Sequence, residues 1–508
     1  MEIKQCHVRN RRRPPVVHVP GSLPAIPKSK SISIMYFCLS NLFSYGKQCH
    51  ALNSFFPVII IQCPSTVHVG FIHGISPVIL NNKITKLLLS TSIQSQSSFE
   101  NSVIKISCLP TKLVKINNSY FFKMLRLSVL FLGICVTLGV GRLTTSGRDF
   151  LYNGQKVFLS GANIAWYSYG YDFGNGLYES NSKVTLETWL TMIANSGGNS
   201  IRQWVHVEGQ NTPTYDSNGY VTSPDSTGTI IDDMRSFLDF AQSKNILVIF
   251  VLWNGAVLEN QNTINLFYDD AKLQSYIDNA LKPMVAALGD HPALAAWEIM
   301  NEPEGAILLN QGNDNPCFDP TPLANTDASW TGLTIPMENN LKFVNWQTHA
   351  IKETNPASLV TLGSWSEHAQ SDAYEQSRNY YTDECLLAAG GRNLGTLDFY
   401  QFHTYTYNGQ WDPSEPFKVT AASYGLDKPL VIGEFATVCG GPETSPTLFQ
   451  YSYDNGYQGV WSWSYNGGTT GSTCCDNQTT QDSGMLQLKG QNGAGGIVNF
   501  PIALVISR

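Results

Sequence analysis

From Arg148 onward, short runs rich in β-branched and aromatic residues recur along the chain: Val157–Trp166, Ser200–Val205, Ile246–Trp253, Leu294–Met300, Leu359–Trp365, Leu397–His403, Leu430–Phe435 and Gly459–Ser464. Most are apolar almost throughout rather than alternating, the pattern of strands covered on both faces. Between them the apolar spacing lengthens to three or four. Ile230, Met234, Phe237, Leu238 and Ala241 mark one helix, and Leu273, Ile277, Ala280, Leu281, Met284 and Val285 another, in which Pro283 predicts a kink. Eight strands alternating with helices predict an α/β fold, a (β/α)8 TIM barrel, because parallel strands need crossover connections. A doubly wound open sheet is the alternative, but no Gly-x-Gly-x-x-Gly turn follows the first strand. Gly305–Leu333 and Ser366–Thr396 are long inserts after the fourth and fifth strands, and both belong on the C-terminal face of a barrel. Of the chain's end, Gly484–Lys489 predicts one short helix, Gly493–Gly496 breaks it, and the apolar run Ile497–Ile506 has no assigned place.

The first 123 residues lack such order. They mix Arg11–Arg13 with Pro/Ser stretches and apolar runs such as Phe55–Gln62, and no period closes them into a domain. Met124 then opens a cationic start with Arg126, an apolar stretch Leu127–Leu138, and the small residues Gly139-Val140-Gly141, the three parts of a secretory signal peptide. The apolar stretch is shorter than the roughly 20 residues a bilayer span needs. The expected organisation is therefore a leader, 1–123, outside the working protein, a signal at 124–141, and one catalytic domain, 142–508, with mature protein starting close to Arg142 and secreted. Charge divides at the same place. Residues 1–141 carry 15 Lys+Arg against 2 Asp+Glu, a formal +13, and the remaining 367 carry 17 against 37, a formal −20. An acidic working half argues against a nucleic-acid partner, and no membrane contact is expected after signal cleavage.

Past residue 141 the cysteines are Cys317, Cys385, Cys439, Cys474 and Cys475, with no Cys-x-x-Cys pair and no His at zinc-site spacing. Secretion would pair four of them in disulfides, in a connectivity that spacing leaves open. Asn477-Gln478-Thr479 is a glycosylation sequon, in keeping with export.

The chemistry stands at strand ends. The fourth strand drives apolar residues through the barrel and then delivers Asn301, Glu302 and Pro303; the seventh ends in Glu434. Two carboxyls are what glycoside cleavage requires, one protonated to assist the leaving oxygen and one ionised to attack the sugar carbon or activate water. Arg202 lies inside the second strand, where a buried guanidinium needs a carboxylate. His403 and Tyr405 share a face at the end of the sixth strand, as do Trp461 and Trp463 on the eighth. With Trp166, Trp253, Trp365 and Trp411 these tryptophans exceed what a core needs and offer faces on which sugar rings stack.

The ordered set Arg202, Asn301-Glu302-Pro303, His403-x-Tyr405, Glu434 and Trp461/Trp463 resembles glycoside hydrolase family 5, and the stretch Asp290–Gly305 is similar to that of its endo-β-1,4-mannanases, especially those of molluscs and other invertebrates. The resemblance spans about Arg148–Leu488. It implies a retaining barrel enzyme in which Glu302 is the acid/base, Glu434 the nucleophile, and Asn301 a partner of the sugar 2-hydroxyl. Arg202 and Tyr405 would hold the nucleophile ionised, His403 would stand near the acid/base, and a Trp of the final strand would lie beneath the scissile sugar. Independently of the resemblance, the surplus of tryptophans puts Trp166 and Trp253 on the substrate as well. Where many family members carry a His after the third strand, this chain reads Leu252-Trp253-Asn254. The expected activity is hydrolysis of internal β-1,4 bonds of β-mannan by a monomer without cofactor or metal. A β-1,4-endoglucanase on the same fold and a catalytically silent polysaccharide-binding protein are the alternatives.

Overall fold

The structure, a computed structural model, describes residues 141–406, 409–466 and 474–502, together with the backbone of an antiparallel strand pair, Val58–Gln62 with His68–Ile72. That pair belongs to a separate unit, Arg13–Leu130. The rest of the leader and the signal up to Val140 lie outside the described residues.

All eight expected strands form: β1 Leu159–Ala165, β2 Ser200–Val207, β3 Leu247–Asn254, β4 Leu294–Asn301, β5 Val360–Ser364, β6 Tyr400–His403, β7 Leu430–Glu434 and β8 Gly459–Ser462. They close into one parallel barrel in chain order, β8 pairing with β1. Burial on both faces explains the near-continuous apolar runs. On β3, Val248, Phe250 and Leu252 join the layer formed with Phe237 and Leu238 of the helix Ile230–Ser243, whereas Leu247 and Ile249 point into the barrel.

Near their C-terminal ends β2, β3 and β4 depart from strict alternation. Leu252 and Trp253 both face the helices, as do Ile299 and Met300, and His206 follows them by stacking on Trp253. The inward face resumes one residue late, at Val207, Asn254 and Asn301. The pairing records the slip, with a register shift between β2 and β3 at Val251/Trp253. One displaced residue exchanges a strand's two faces, so this slip decides which side chains reach the catalytic rim.

Pro283 does not break its helix. Asp270–Tyr276 and Lys282–Leu288 are joined by a π turn, Ile277–Leu281, so the expected kink takes the form of one widened turn just ahead of a residue with no N–H to give.

A five-stranded sheet lies under the N-terminal end of the barrel, built from Leu143–Ser146, Asp149–Tyr152 and Gln155–Val157 with Asn492–Gly493 and Gly496–Ile497. The unassigned apolar run supplies part of this floor, for Phe500 and Ile502 pack with Leu143, Phe150 and Tyr152 beneath Leu247, Phe399 and Val431. Arg142 is already tied in, donating to Gly289 O at 2.8 Å and to Asn355 Oδ1 at 3.1 Å. The last helix is longer than expected, Gln478–Leu488, because Asn477 caps it by accepting from Thr480 N at 2.9 Å. At the opposite end, disulfides Cys317–Cys385 and Cys439–Cys474 join the inserts after β4 and β5 and the loops after β7 and β8.

Candidate active site

Arg202, Asn301, Glu302, His403, Tyr405 and Glu434 converge at the C-terminal mouth of the barrel. Glu302, the residue after β4, takes a left-handed conformation at φ 43° and ψ 57°, and its N–H donates to Gly363 O at 2.7 Å. A non-glycine residue held there costs on the order of 1–3 kcal/mol, a strain that persists only where the surroundings over-determine it. Gly363 of β5 has to be glycine for a separate reason: a Cβ there would stand 2.5 Å from Glu298 Oε1 and 2.9 Å from His403 Nε2.

Glu434 accepts from Arg202 Nη1 at 2.7 Å and from the Tyr405 hydroxyl at 2.8 Å. His403 Nδ1 lies 2.8 Å from Glu302 Oε1 and 3.6 Å from Glu434 Oε2. A carboxylate oxygen of Glu302, one of Glu434 and a ring nitrogen of His403 all lie within 4.8 Å of one another. Carboxyls this near leave no place for a water between them and the sugar, which suits direct attack by one of them. Burial pushes Glu434 up from the usual carboxylate range to about 7, against Arg202 and Tyr405, which pull the other way. Burial, reinforced by Arg202, holds His403 well below its ordinary value, so it is neutral beside Glu302. Burial and the adjacent Glu434 keep the Tyr405 hydroxyl protonated.

Arg202 is wholly buried and serves two carboxylates. Besides Glu434 it binds Glu298 of β4, through Nε to Oε2 at 2.9 Å and Nη2 to Oε1 at 2.5 Å. Burial works against its charge, but Glu298 and Glu434 outweigh burial and raise its pKa above the ordinary value. Glu298 also accepts from Gln401 Nε2 at 2.8 Å, and Asn163 accepts from Arg202 Nη1 at 2.6 Å while its own amide donates to Gly433 O. The guanidinium is thereby fixed in the plane that presents Nη1 to Glu434.

Trp166 and Trp463 meet at the rim with ring centroids 5.6 Å apart, joined by Trp204, Tyr169 and Tyr405. Two tryptophans expected on substrate are placed elsewhere. Trp253 is fully buried between barrel and helices, its Nε1 donating to Gln347 Oε1 at 3.0 Å, because the slip in β3 turns it outward and brings Asn254 in. Trp461 does share the inward face of β8 with Trp463, but two residues of strand set it about 6.6 Å lower. There it joins the floor cluster and donates to Ser200 Oγ at 3.0 Å. Trp365 lies partly buried against His368, and Trp411 is buried on Phe417. Sequence reading passed over Glu298, Asn163 and Trp204. Trp204 carried a usable signal, standing two residues beyond Arg202 on the same strand.

The chain matches the family model described as Cellulase (glycosyl hydrolase family 5) over residues 153–468. The chain belongs to glycosyl hydrolase family 5. Within that family it is 50% identical over 366 residues to the mannan endo-1,4-beta-mannosidase of Cryptopygus antarcticus, covering 71% of this chain and 94% of that protein. It is 47% identical over 325 residues to the protein of that name from Mytilus edulis, covering 64% of this chain and 88% of the relative. Among solved structures, the endo-1,4-beta-mannanase of Eisenia fetida superposes with a TM-score of 0.70 at 46% identity, over 72% of this chain and all of the other.

Proposed function

We propose that this chain is a retaining endo-β-1,4-mannanase. The observation that carries the reading is the pair Glu302 and Glu434, close together at the barrel mouth, with Glu434 held by a guanidinium and a tyrosine and Glu302 by a neutral histidine. Identity at 50% and 47% of the aligned positions with two mannan endo-1,4-beta-mannosidases, over 94% and 88% of their lengths, supports the substrate assignment. In the first step Glu302 gives its proton to the leaving glycosidic oxygen while Glu434 attacks the anomeric carbon, forming a glycosyl-enzyme ester. Glu302, now ionised, takes a proton from the water that attacks that ester, and the product keeps its β configuration. The neutral imidazole of His403 adds no positive charge that would favour the ionised form of Glu302. Asn301 meets the 2-hydroxyl of the sugar being cleaved, axial in mannose, and Trp166, Trp204 and Trp463 offer it apolar faces.

The test is a reducing-sugar assay on mannan and carboxymethyl cellulose, with mannohexaose products followed by proton NMR. Internal cuts and first-formed β-anomers are expected. Dominant activity on cellulose would establish the glucanase instead, an α-anomer would require an inverting mechanism, and silence on both polymers would leave a binding protein.

Residues 124–141 are read as an export signal, which makes the enzyme extracellular. Among the described residues no helix is long and apolar enough to cross a membrane. N-terminal sequencing of protein recovered from the medium should begin close to Arg142; a peptide from Met1–Lys123 in the active enzyme would overturn this reading.

A further inference from the structure

Asn301 reaches its neighbours through a hydrogen-bonded chain that runs well beyond the carboxylates. Its Oδ1 accepts from Arg202 Nη2 at 3.3 Å, and its Nδ2 donates to Asn254 Oδ1 at 3.0 Å. Asn254 Nδ2 donates in turn to the Tyr169 hydroxyl at 3.0 Å, and that hydroxyl donates to Glu208 Oε1 at 2.5 Å. Neither amide is free to flip. Arg202 has only donors to offer, so the atom of Asn301 facing it must be oxygen; the backbone N–H of Ala256 donates to Asn254 at 3.1 Å and fixes that side chain likewise. Every bond therefore points one way, from a cation at one end to a carboxylate at the other, an arrangement in which successive bonds polarise and strengthen one another.

The far end is built as carefully as the near one. Glu208 directly follows Val207, a β-branched residue at φ +58°, which such side chains rarely adopt. Its N–H donates to Gln210 Oε1 at 3.0 Å and its carbonyl accepts from Thr263 Oγ1 at 2.9 Å, and the side chain is nearly buried. Tyr169 is packed edge-on against Trp166, with ring centroids 4.8 Å apart. Asn254 takes part only because the slip in β3 turns it inward.

We propose that Asn254, Tyr169 and Glu208 are positioning residues for Asn301: they fix its amide so that the second Nδ2 hydrogen points at the sugar 2-hydroxyl. The proposal rests on the reading of Asn301 as the partner of that hydroxyl. A purely structural role, holding the loops after β1, β2 and β3 together, would change stability without changing how the enzyme senses the 2-hydroxyl.

The probe is an aryl β-mannotrioside compared with its analogue lacking the 2-hydroxyl on the aryl-bearing mannose. Wild-type enzyme should lose on the order of a hundred-fold or more in kcat/KM on the deoxy substrate, since bonds to this hydroxyl strengthen in the transition state. Tyr169→Phe removes one hydroxyl and keeps the ring. It should lower kcat/KM on the full substrate about ten-fold, mainly through kcat, and leave the deoxy substrate nearly unaffected, so that the deoxy penalty shrinks by the same factor. Glu208→Ala should repeat the pattern, and Glu208→Gln, which keeps an acceptor oxygen, should recover part of the loss. Asn301→Ala should abolish most of the penalty. If it shrinks in Asn301→Ala but stays at its wild-type size in Tyr169→Phe and Glu208→Ala, the relay is overturned and the reading of Asn301 stands. An undiminished penalty in Asn301→Ala would overturn both.

Discussion

Glu434→Ala should lower turnover on mannan by roughly 10⁴–10⁶-fold, the loss seen when a covalent nucleophile is removed, with little change in melting temperature because Arg202 keeps Glu298 as its counter-ion. The remaining activity then separates the two carboxyls. Added azide can enter the space vacated by Glu434 and attack the anomeric carbon from the same face, so Glu434→Ala with azide and an aryl mannoside should give the α-mannosyl azide. Glu302→Ala should behave differently. It leaves the nucleophile in place, and a substrate whose leaving group needs no proton, such as a dinitrophenyl mannoside, should still form the ester quickly. Azide attacking that ester should give the β-mannosyl azide. The two anomers assign the roles whatever the size of the rate loss, and the opposite assignment of anomers would exchange Glu302 with Glu434. Equal azide products from both variants would mean that no ester forms and that the carboxyls, though within 4.8 Å, act on water.

How much of this was legible in the sequence depended on whether a signal is local. Most of the eight strands are written as near-continuous apolar runs because each is covered on both faces, and the carboxyls are conspicuous because each ends such a run. Arg202 could be assigned to a carboxylate because a buried guanidinium allows little else, although the sequence did not say that it would hold two. Trp253 was expected on substrate from the surplus of tryptophans alone, which carries no information about where a register shift falls, and the shift in β3 depends on pairing with β2. Trp461 was read on the right face at the wrong depth, since alternation fixes direction and not height along the barrel axis. The floor was illegible for a third reason. Gly496–Ile497 pairs with Gln155–Val157, more than 300 residues away, and no local pattern in either segment names the other.

The buried charges around Arg202 lead to the second large effect. Arg202→Met keeps an unbranched apolar stem but removes the guanidinium, leaving Glu298 and Glu434 in the barrel without their shared cation. Breaking a buried pair by removing one partner costs about 3–5 kcal/mol, which for a domain of this size is a fall in melting temperature on the order of 10 °C. The sign of its pH dependence follows from which groups can respond. In the variant, protonation neutralises a stranded carboxylate, so the deficit against wild type should be largest at pH 8 and shrink on acidification toward pH 5. Wild-type Glu434 already sits at about 7, with burial raising it and Arg202 pulling it down. Loss of Arg202 moves it higher still, so whatever activity the variant retains should have its acid limb displaced to higher pH, because a protonated Glu434 cannot attack. Arg202→Met/Glu298→Met removes one of the two stranded carboxylates and should regain part of the stability while leaving the acid limb displaced. Melting curves at the two pH values, together with kcat/KM against pH for both variants, check each part. A limb that stays at its wild-type position in Arg202→Met would mean that Arg202 orients Glu434 without setting its charge.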